Sequence, residues 1–314
     1  MALRLKTIAL LSLCSLLLGC QPDSSGDSAA INPPAASAPA IDVTQLHHRI
    51  AQQAELSLRQ SIASAQALLA RSQQFLEHSD TSHWQQLRAQ WLASHRQWHH
   101  SASYLALLPA QPELIELQQR LHSHDISAGY LDSIEGYPQS GIVNDSTLHL
   151  SLANLAQQHQ RYSDEEAALG LSVLEFFIWG RELSHYSNAD ADALTQLALP
   201  RRRDYLALLA QQWLSDVESA HAYWQAHHKQ LPAATEIRIL WQQQLGAIAN
   251  GQHSPYSQDS QWPIAVLTSI SLHTAAHPNY ASIAQLLQQP DPDPLSLNQQ
   301  LGELMLALSF KDEQ

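Results

Sequence analysis

Residues 167–180 read Ala-Ala-Leu-Gly-Leu-Ser-Val-Leu-Glu-Phe-Phe-Ile-Trp-Gly, a run that is apolar on every side of a helical wheel. A helix of that kind is buried all round, so it demands other helices about it. Ser172 and Glu175 are its polar side chains between Gly170 and Trp179, and three residues apart they share one face. An ionised carboxylate there is costly unless it is paired, hydrogen-bonded or metal-bound. Glu175 therefore either faces a polar site between helices or is a structural acid satisfied by an arginine such as Arg96 or Arg161. Upstream, Ser163-Asp164-Glu165-Glu166 has the form of a capping box, which predicts that Ser163 opens this helix.

Amphipathic helices flank that run on both sides. Leu46, Ile50, Ala54, Leu58, Ile62, Ala65 and Leu69 form one stripe of a helix ending near Ser79. Asp80, Thr81 or Ser82 can cap the next helix, which carries Trp84, Leu87, Trp91, Trp98 and Leu105 inward. The three tryptophans, seven apart, read as core. Pro109 and Pro112 break the chain before a short helix over 113–123. Residues 124–146 hold Gly129, Gly136, Pro138 and Gly141 and are irregular, and a loop this long in a compact domain is often functional. Further helices are expected over 148–160, from Pro200 in a first turn to about 228 with Tyr205, Leu208, Leu209, Trp213 and Val217 inward, and over 235–249, 263–276, 280–289 and 295–309. No strand, glycine-rich phosphate loop, zinc-finger spacing or nucleophile elbow is evident.

Composition agrees with an all-α fold: 10 glycines among 314 residues are too few for many tight strand turns, and 45% hydrophobic content suffices for one large core or two small ones. Sixteen basic against 29 acidic residues give a net charge of −13, which argues against nucleic-acid partners. Arg4 and Lys6 precede an apolar run over 7–18 that is too short to span a bilayer and has the form of a signal segment. It ends in Leu17-Leu18-Gly19-Cys20, which looks like a bacterial lipobox. Residues 1–19 are then a signal peptide, Cys20 is acylated, Cys14 is lost with the leader, and 20–41 form a Pro/Ser/Ala-rich tether. Each buried CH2 of an acyl chain contributes about 0.8 kcal/mol, so several chains anchor the protein to lipid firmly. Gln21 after the cysteine resembles an outer-membrane address, placing the protein on the periplasmic face of that membrane.

Eighteen histidines invite metal readings. His95 and His99, four apart on the tryptophan helix, have a spacing compatible with a shared metal. The alternative makes His95 a hydrogen-bonded core histidine, with His99 and His100 on a solvated face. His47-His48 and His227-His228 read as surface pairs; His122, His124 and Asp125 near the irregular loop could make a loose metal site, against which stands a plain surface reading.

Gly170-Leu171-Ser172-Val173-Leu174-Glu175 followed by Phe-Phe-Ile-Trp-Gly resembles the signature of the imelysin-like family, G-x-H-x-x-E with an aromatic-apolar run and Gly. The resemblance extends to the tryptophan helix over 91–101, to Tyr130-Leu131-Asp132-Ser133-Ile134-Glu135-Gly136 with the segment 140–144 after it, to Arg202-Arg203-Asp204-Tyr205-Leu206, and to His253-Ser254-Pro255-Tyr256-Ser257. It implies two packed antiparallel four-helix bundles, here 42–182 and 183–314, in a periplasmic lipoprotein linked to iron acquisition. It also implies a divalent metal, iron or zinc, as cofactor, iron-uptake membrane proteins as partners, and for some members a metallopeptidase label. The family's proposed metal pair is the signature His and Glu. Glu175 matches the Glu, but Ser172 stands at the His position, and a hydroxyl is a poor ligand beside imidazole. His95 and Ala102 stand where many members have Arg and Glu. The expectation is a binding module with a degenerate metal site around Glu175, Ser172 and His95, with His99 as a further candidate ligand; the alternatives are a metallopeptidase or a non-catalytic scaffold.

Overall fold

A computed structural model describes residues 42–121, 126–187, 193–249, 256, 261–289 and 293–311. Cys20, its tether, His122, His124, Asp125, His253, Ser254, Pro255 and Ser257 lie outside the described residues. Eleven α-helices and no strand occur among the described residues: α1 Val43–Glu77, α2 Thr81–Leu105, α3 Pro112–Leu121, α4 Ala128–Leu131, α5 Leu152–Gln158, α6 Leu171–Trp179, α7 Ala193–His227, α8 Ala234–Ala249, α9 Trp262–Ser271, α10 Pro278–Leu287 and α11 Pro294–Ala307. None of the described helices is long and apolar enough to cross a membrane. The all-α class is as the sequence predicts, and the packing is compatible with four-helix bundles.

The long antiparallel pair α1 and α2 is the frame. Asp42 caps α1 by accepting the N–H groups of Thr44 and Gln45, and Asp80 caps α2 by accepting that of His83. Such caps are worth about 1 kcal/mol each. Trp84, Leu87, Trp91, Trp98 and Leu105 are all buried. Each such indole removes about 150–250 Å² from water, a gross gain of about 4–6 kcal/mol.

The stripe of α1 departs from the prediction. Leu68 replaces Leu69 in the core, Ile62 is half-buried, and Ser57, Ser61 and Ser72 are buried instead. The reason is a polar seam. Ser57 and Ser61 hydroxyls lie 2.6 and 2.8 Å from that of Ser101, Ser64 and Ser94 pair at 2.9 Å, and the Gln97 amide donates to the Ser57 carbonyl. Small hydroxylated residues let the two backbones approach and satisfy one another, which a hydrophobic count does not detect.

α7 lies along α1, so residues on either side of position 182 share packing, while α8, α9, α10 and α11 pack among themselves and α9 packs on α2. α7 starts at Ala193, placing Pro200 inside the helix rather than in its first turn. Proline offers no N–H to the Gln196 carbonyl one turn back, and its ring is exposed, so the cost stays local. Tyr205, Leu209, Trp213 and Val217 are buried as expected, and Leu208 is half-buried. α5 is shorter than predicted because Ser151 caps it, and α9 stops at Ser271.

Candidate functional site

α6 is held between α2 and α7, as its all-round apolar character requires. Ser163 does not open it. Ser163 makes only a local turn, accepting the Glu166 and Glu165 N–H groups on its carbonyl and hydroxyl oxygens. The chain then runs non-helically until Gly170, whose φ of 111° is a conformation that favours glycine. The intervening backbone is satisfied from elsewhere. His159 Nδ1 accepts the N–H groups of Ala168 and Leu169, both at 3.2 Å, and the Tyr205 hydroxyl donates to the Ala168 carbonyl at 2.7 Å. These tertiary bonds outcompete the local box.

Glu175 is 1% exposed. Its Oε1 accepts the backbone N–H of Tyr256 at 3.2 Å. The Tyr256 ring packs on Phe176, with centroids 5.4 Å apart. Burial and the adjacent Glu175 charge push the Tyr256 hydroxyl above its ordinary range, with Arg181 opposing. Gly180 admits that ring: a Cβ there would stand 2.9 Å from Tyr256 Cδ1 and 2.8 Å from the Phe176 carbonyl oxygen. Gly180→Ala is accordingly expected to cost about 1–3 kcal/mol and to free the Tyr256 amide. Hydrogen–deuterium exchange checks it: Tyr256 should exchange faster while α1 is unchanged, and an unaltered Tyr256 rate would show that the ring does not depend on Gly180.

Across from Glu175's helix, the Trp91 indole N–H donates to the Leu171 carbonyl at 3.3 Å, tying α2 to the first turn of α6. His95, one turn along α2, is 7% exposed and stacks on Trp91 at 4.7 Å and 15°. Its Nε2 lies 3.2 Å from Nε2 of His99, and the His99 ring lies 4.6 Å from that of Trp262 at the start of α9. Ser172 is half-buried in the first turn of α6. The structure thus brings His95 and His99 together, and Glu175 together with Tyr256. Arg161 is exposed with its guanidinium over the Tyr162 ring, so it is not Glu175's counter-ion. Of the histidines read as surface pairs, His48 is exposed, but His47, His227 and His228 are half-buried: His47 meets the distant Pro232 carbonyl, and His227 and His228 bond carbonyls one turn back. Among the described residues no three of His, Cys, Asp and Glu converge as a metal site, so this donor set does not fit a zinc or iron centre with three protein ligands.

The imelysin family model matches residues 54–303, from within α1 to within α11. The chain belongs to the imelysin family. No curated protein matches it. In this imelysin the matched span takes in the tryptophan helix α2, the irregular loop and α6.

A buried charge cluster in this imelysin was not singled out by charge reasoning. Asp132, 0% exposed, takes a two-pronged pair from Arg202, Nε to Oδ2 at 2.6 Å and Nη2 to Oδ1 at 3.0 Å. Arg181, one residue past Gly180, stands 3.2 Å from Asp132 Oδ2, donates to the Ser133 carbonyl and lies over the Phe176 ring at 4.5 Å. Burial lowers the Arg181 pKa, and Asp132 opposes that fall. Arg201 donates to the carbonyls of Ile142, Val143, Asp145 and Leu148, and Arg203 to those of Leu76 and Tyr186. The available signal was the Arg201-Arg202-Arg203 run opposite Asp132 in a loop with polar carbonyls to satisfy. Gly141, φ +85°, is required there, since a Cβ would fall 2.3 Å from the Asp132 nitrogen.

A groove of about 390 Å³ opens on the other face of α2, against α9, lined by Arg96, Gln97, His100, Gln261, Ile264 and Thr268 among others. His100 Nδ1 lies 2.7 Å from the Ser57 hydroxyl, and burial holds its pKa below the ordinary imidazole value.

Proposed function

We propose that this imelysin is a lipid-anchored binding protein on the periplasmic face of the outer membrane, serving uptake of iron or another metal, and not a peptidase. The observation that carries the reading is the Glu175 carboxylate. It is buried in the signature helix and engaged by the Tyr256 amide, an arrangement that preserves a polar point inside an apolar body. Ser172 at the signature His position supports a degenerate metal site, because a metallopeptidase needs firmly held metal and a general base beside bound water. The lipobox at Cys20 supports attachment to membrane lipid, and the family's iron link supports membrane uptake proteins as partners.

Growth under chelator tests this. A deletion strain of the native host should grow poorly, and the wild-type gene should restore growth while Cys20→Ser and Glu175→Gln do not. Full rescue by both variants would overturn the reading in favour of a scaffold. Ser172→His should tighten zinc binding by about tenfold or more, about 1.4 kcal/mol, in calorimetry. Peptide cleavage by the unsubstituted protein that is lost in Glu175→Gln would favour the peptidase instead.

A further inference from the structure

We infer that His95 and His99 form a two-imidazole site on α2 for a borderline d-block dication: zinc, copper(II) or nickel(II). The inference rests on the reading of this region as a binding site, and it moves the metal from the signature position on α6 to the facing helix. Three observations carry it. The two Nε2 atoms face each other at 3.2 Å. That length serves an imidazole–imidazole hydrogen bond, and it is also close to the about 3.3–3.4 Å that two nitrogens adopt when each sits about 2.0–2.1 Å from one tetrahedral ion. Both rings are fixed from outside. His95 is stacked on Trp91, and His99 is set against Trp262. The pair is also an i, i+4 arrangement on one helix, so both donors ride on a rigid element.

Imidazole pairs select borderline metals, while magnesium and calcium require oxygen donors. With both rings neutral, one Nε2–H donates to the other Nε2. On binding, that proton leaves to water and Nδ1 of the same ring takes one up. Both Nε2 lone pairs then face the ion and the net proton count is unchanged. Such an ion completes its coordination with water or with a donor carried by the cargo, which suits an ion that must be passed on.

The full chain should be titrated with zinc by calorimetry and with copper(II) or nickel(II) by tryptophan fluorescence. One ion per chain is expected, with quenching because an indole flanks each ring. His99→Gln should weaken binding at least tenfold, whereas exposed His48→Gln should not. Zinc should also protect His99 from carbethoxylation in the unsubstituted protein, a readout that needs no variant to fold. Wild-type affinity in His99→Gln, or labelling of His99 indifferent to zinc, overturns the inference. Binding lost in Glu175→Gln but kept in His99→Gln overturns it while leaving a Glu175-centred site. Failure of all metal binding overturns it too, and the chelator growth test then decides the broader reading separately.

Discussion

Asp132→Asn destabilises the fold by about 3–5 kcal/mol. The substitution keeps the shape and an acceptor but removes the carboxylate charge that the Arg202 guanidinium meets head-on. Arg202 is 1% exposed, so water cannot take the place of the lost carboxylate. Its Nε and Nη2 both point at Asp132, while Nη1 is already committed to the His185 carbonyl at 3.0 Å. Arg181 stands on the same carboxylate with its side chain 11% exposed. Two buried cations would then share no anion among these groups. Asn144 and the Ser133 N–H also lean on Oδ1, and the neutral carbonyl that Asn keeps there accepts more weakly than a carboxylate, so the loop's internal anchor weakens along with the ion pair. For a domain of this size about 1 kcal/mol moves the melting temperature by about 2–4 °C, which places the expected loss at about 6–20 °C. Thermal unfolding followed by circular dichroism checks it, with exposed Glu135→Gln as the comparison, expected within about 0.5 kcal/mol of wild type. A melting temperature for Asp132→Asn indistinguishable from that of Glu135→Gln would show that the cluster does not hold the fold.

That cluster also marks where sequence reasoning stops. Helix periodicity is a local property, so the tryptophan face of α2 and the burial of α6 were legible from spacing alone. The polar seam was not, because Ser57, Ser61 and Ser101 look neutral until two helices are set in register. Ser163 failed as a cap for the same kind of reason. A capping box is worth about 1 kcal/mol, and His159 and Tyr205 together bond backbone groups of Ala168 and Leu169 that keep 167–170 out of the helix. At the site, Glu175 was legible as a buried acid because nothing else polar but Ser172 interrupts the run. Its engagement by Tyr256 was not, since 81 residues separate the partners. The i, i+4 spacing named His95 and His99, but only the flanking Trp91 and Trp262 rings show why their nitrogens face each other.

Acid should unfold this protein well before its carboxylates are neutralised. Burial drives the pKa of His159 and of His273 from 6.5 down to about 4. Geometry agrees in both cases. His159 Nδ1 accepts two backbone N–H groups, so a proton there would eject both. His273 is 1% exposed, stacked on Trp241 at 5.7 Å, and its Nδ1 finds no partner among the described residues. Arg49, Lys311 and His100 add positive charge around His273, and Arg120 does so near His159. The unfolded chain takes up protons on these rings below about pH 6.5, while the folded chain refuses them until near pH 4. The stability they contribute is therefore complete above about pH 6.5 and is lost as pH falls toward 4, about 2 kcal/mol per histidine by pH 5. Glu55 is held below its ordinary value by hydrogen bonds from Arg59 and His221 that outweigh burial, and Asp80 by its bonds from His83; such acids lose their contribution only at lower pH. Asp216, raised by burial against the pull of Arg120, works with the opposite sign. Urea midpoints at pH 7 and pH 5 separate these contributions. The wild type should lose about 4 kcal/mol over that interval from the two histidines, and His273→Phe, which fills the same space without a titrating nitrogen, should lose about half as much. A wild-type slope in His273→Phe would mean that the ring already carries its proton inside the fold.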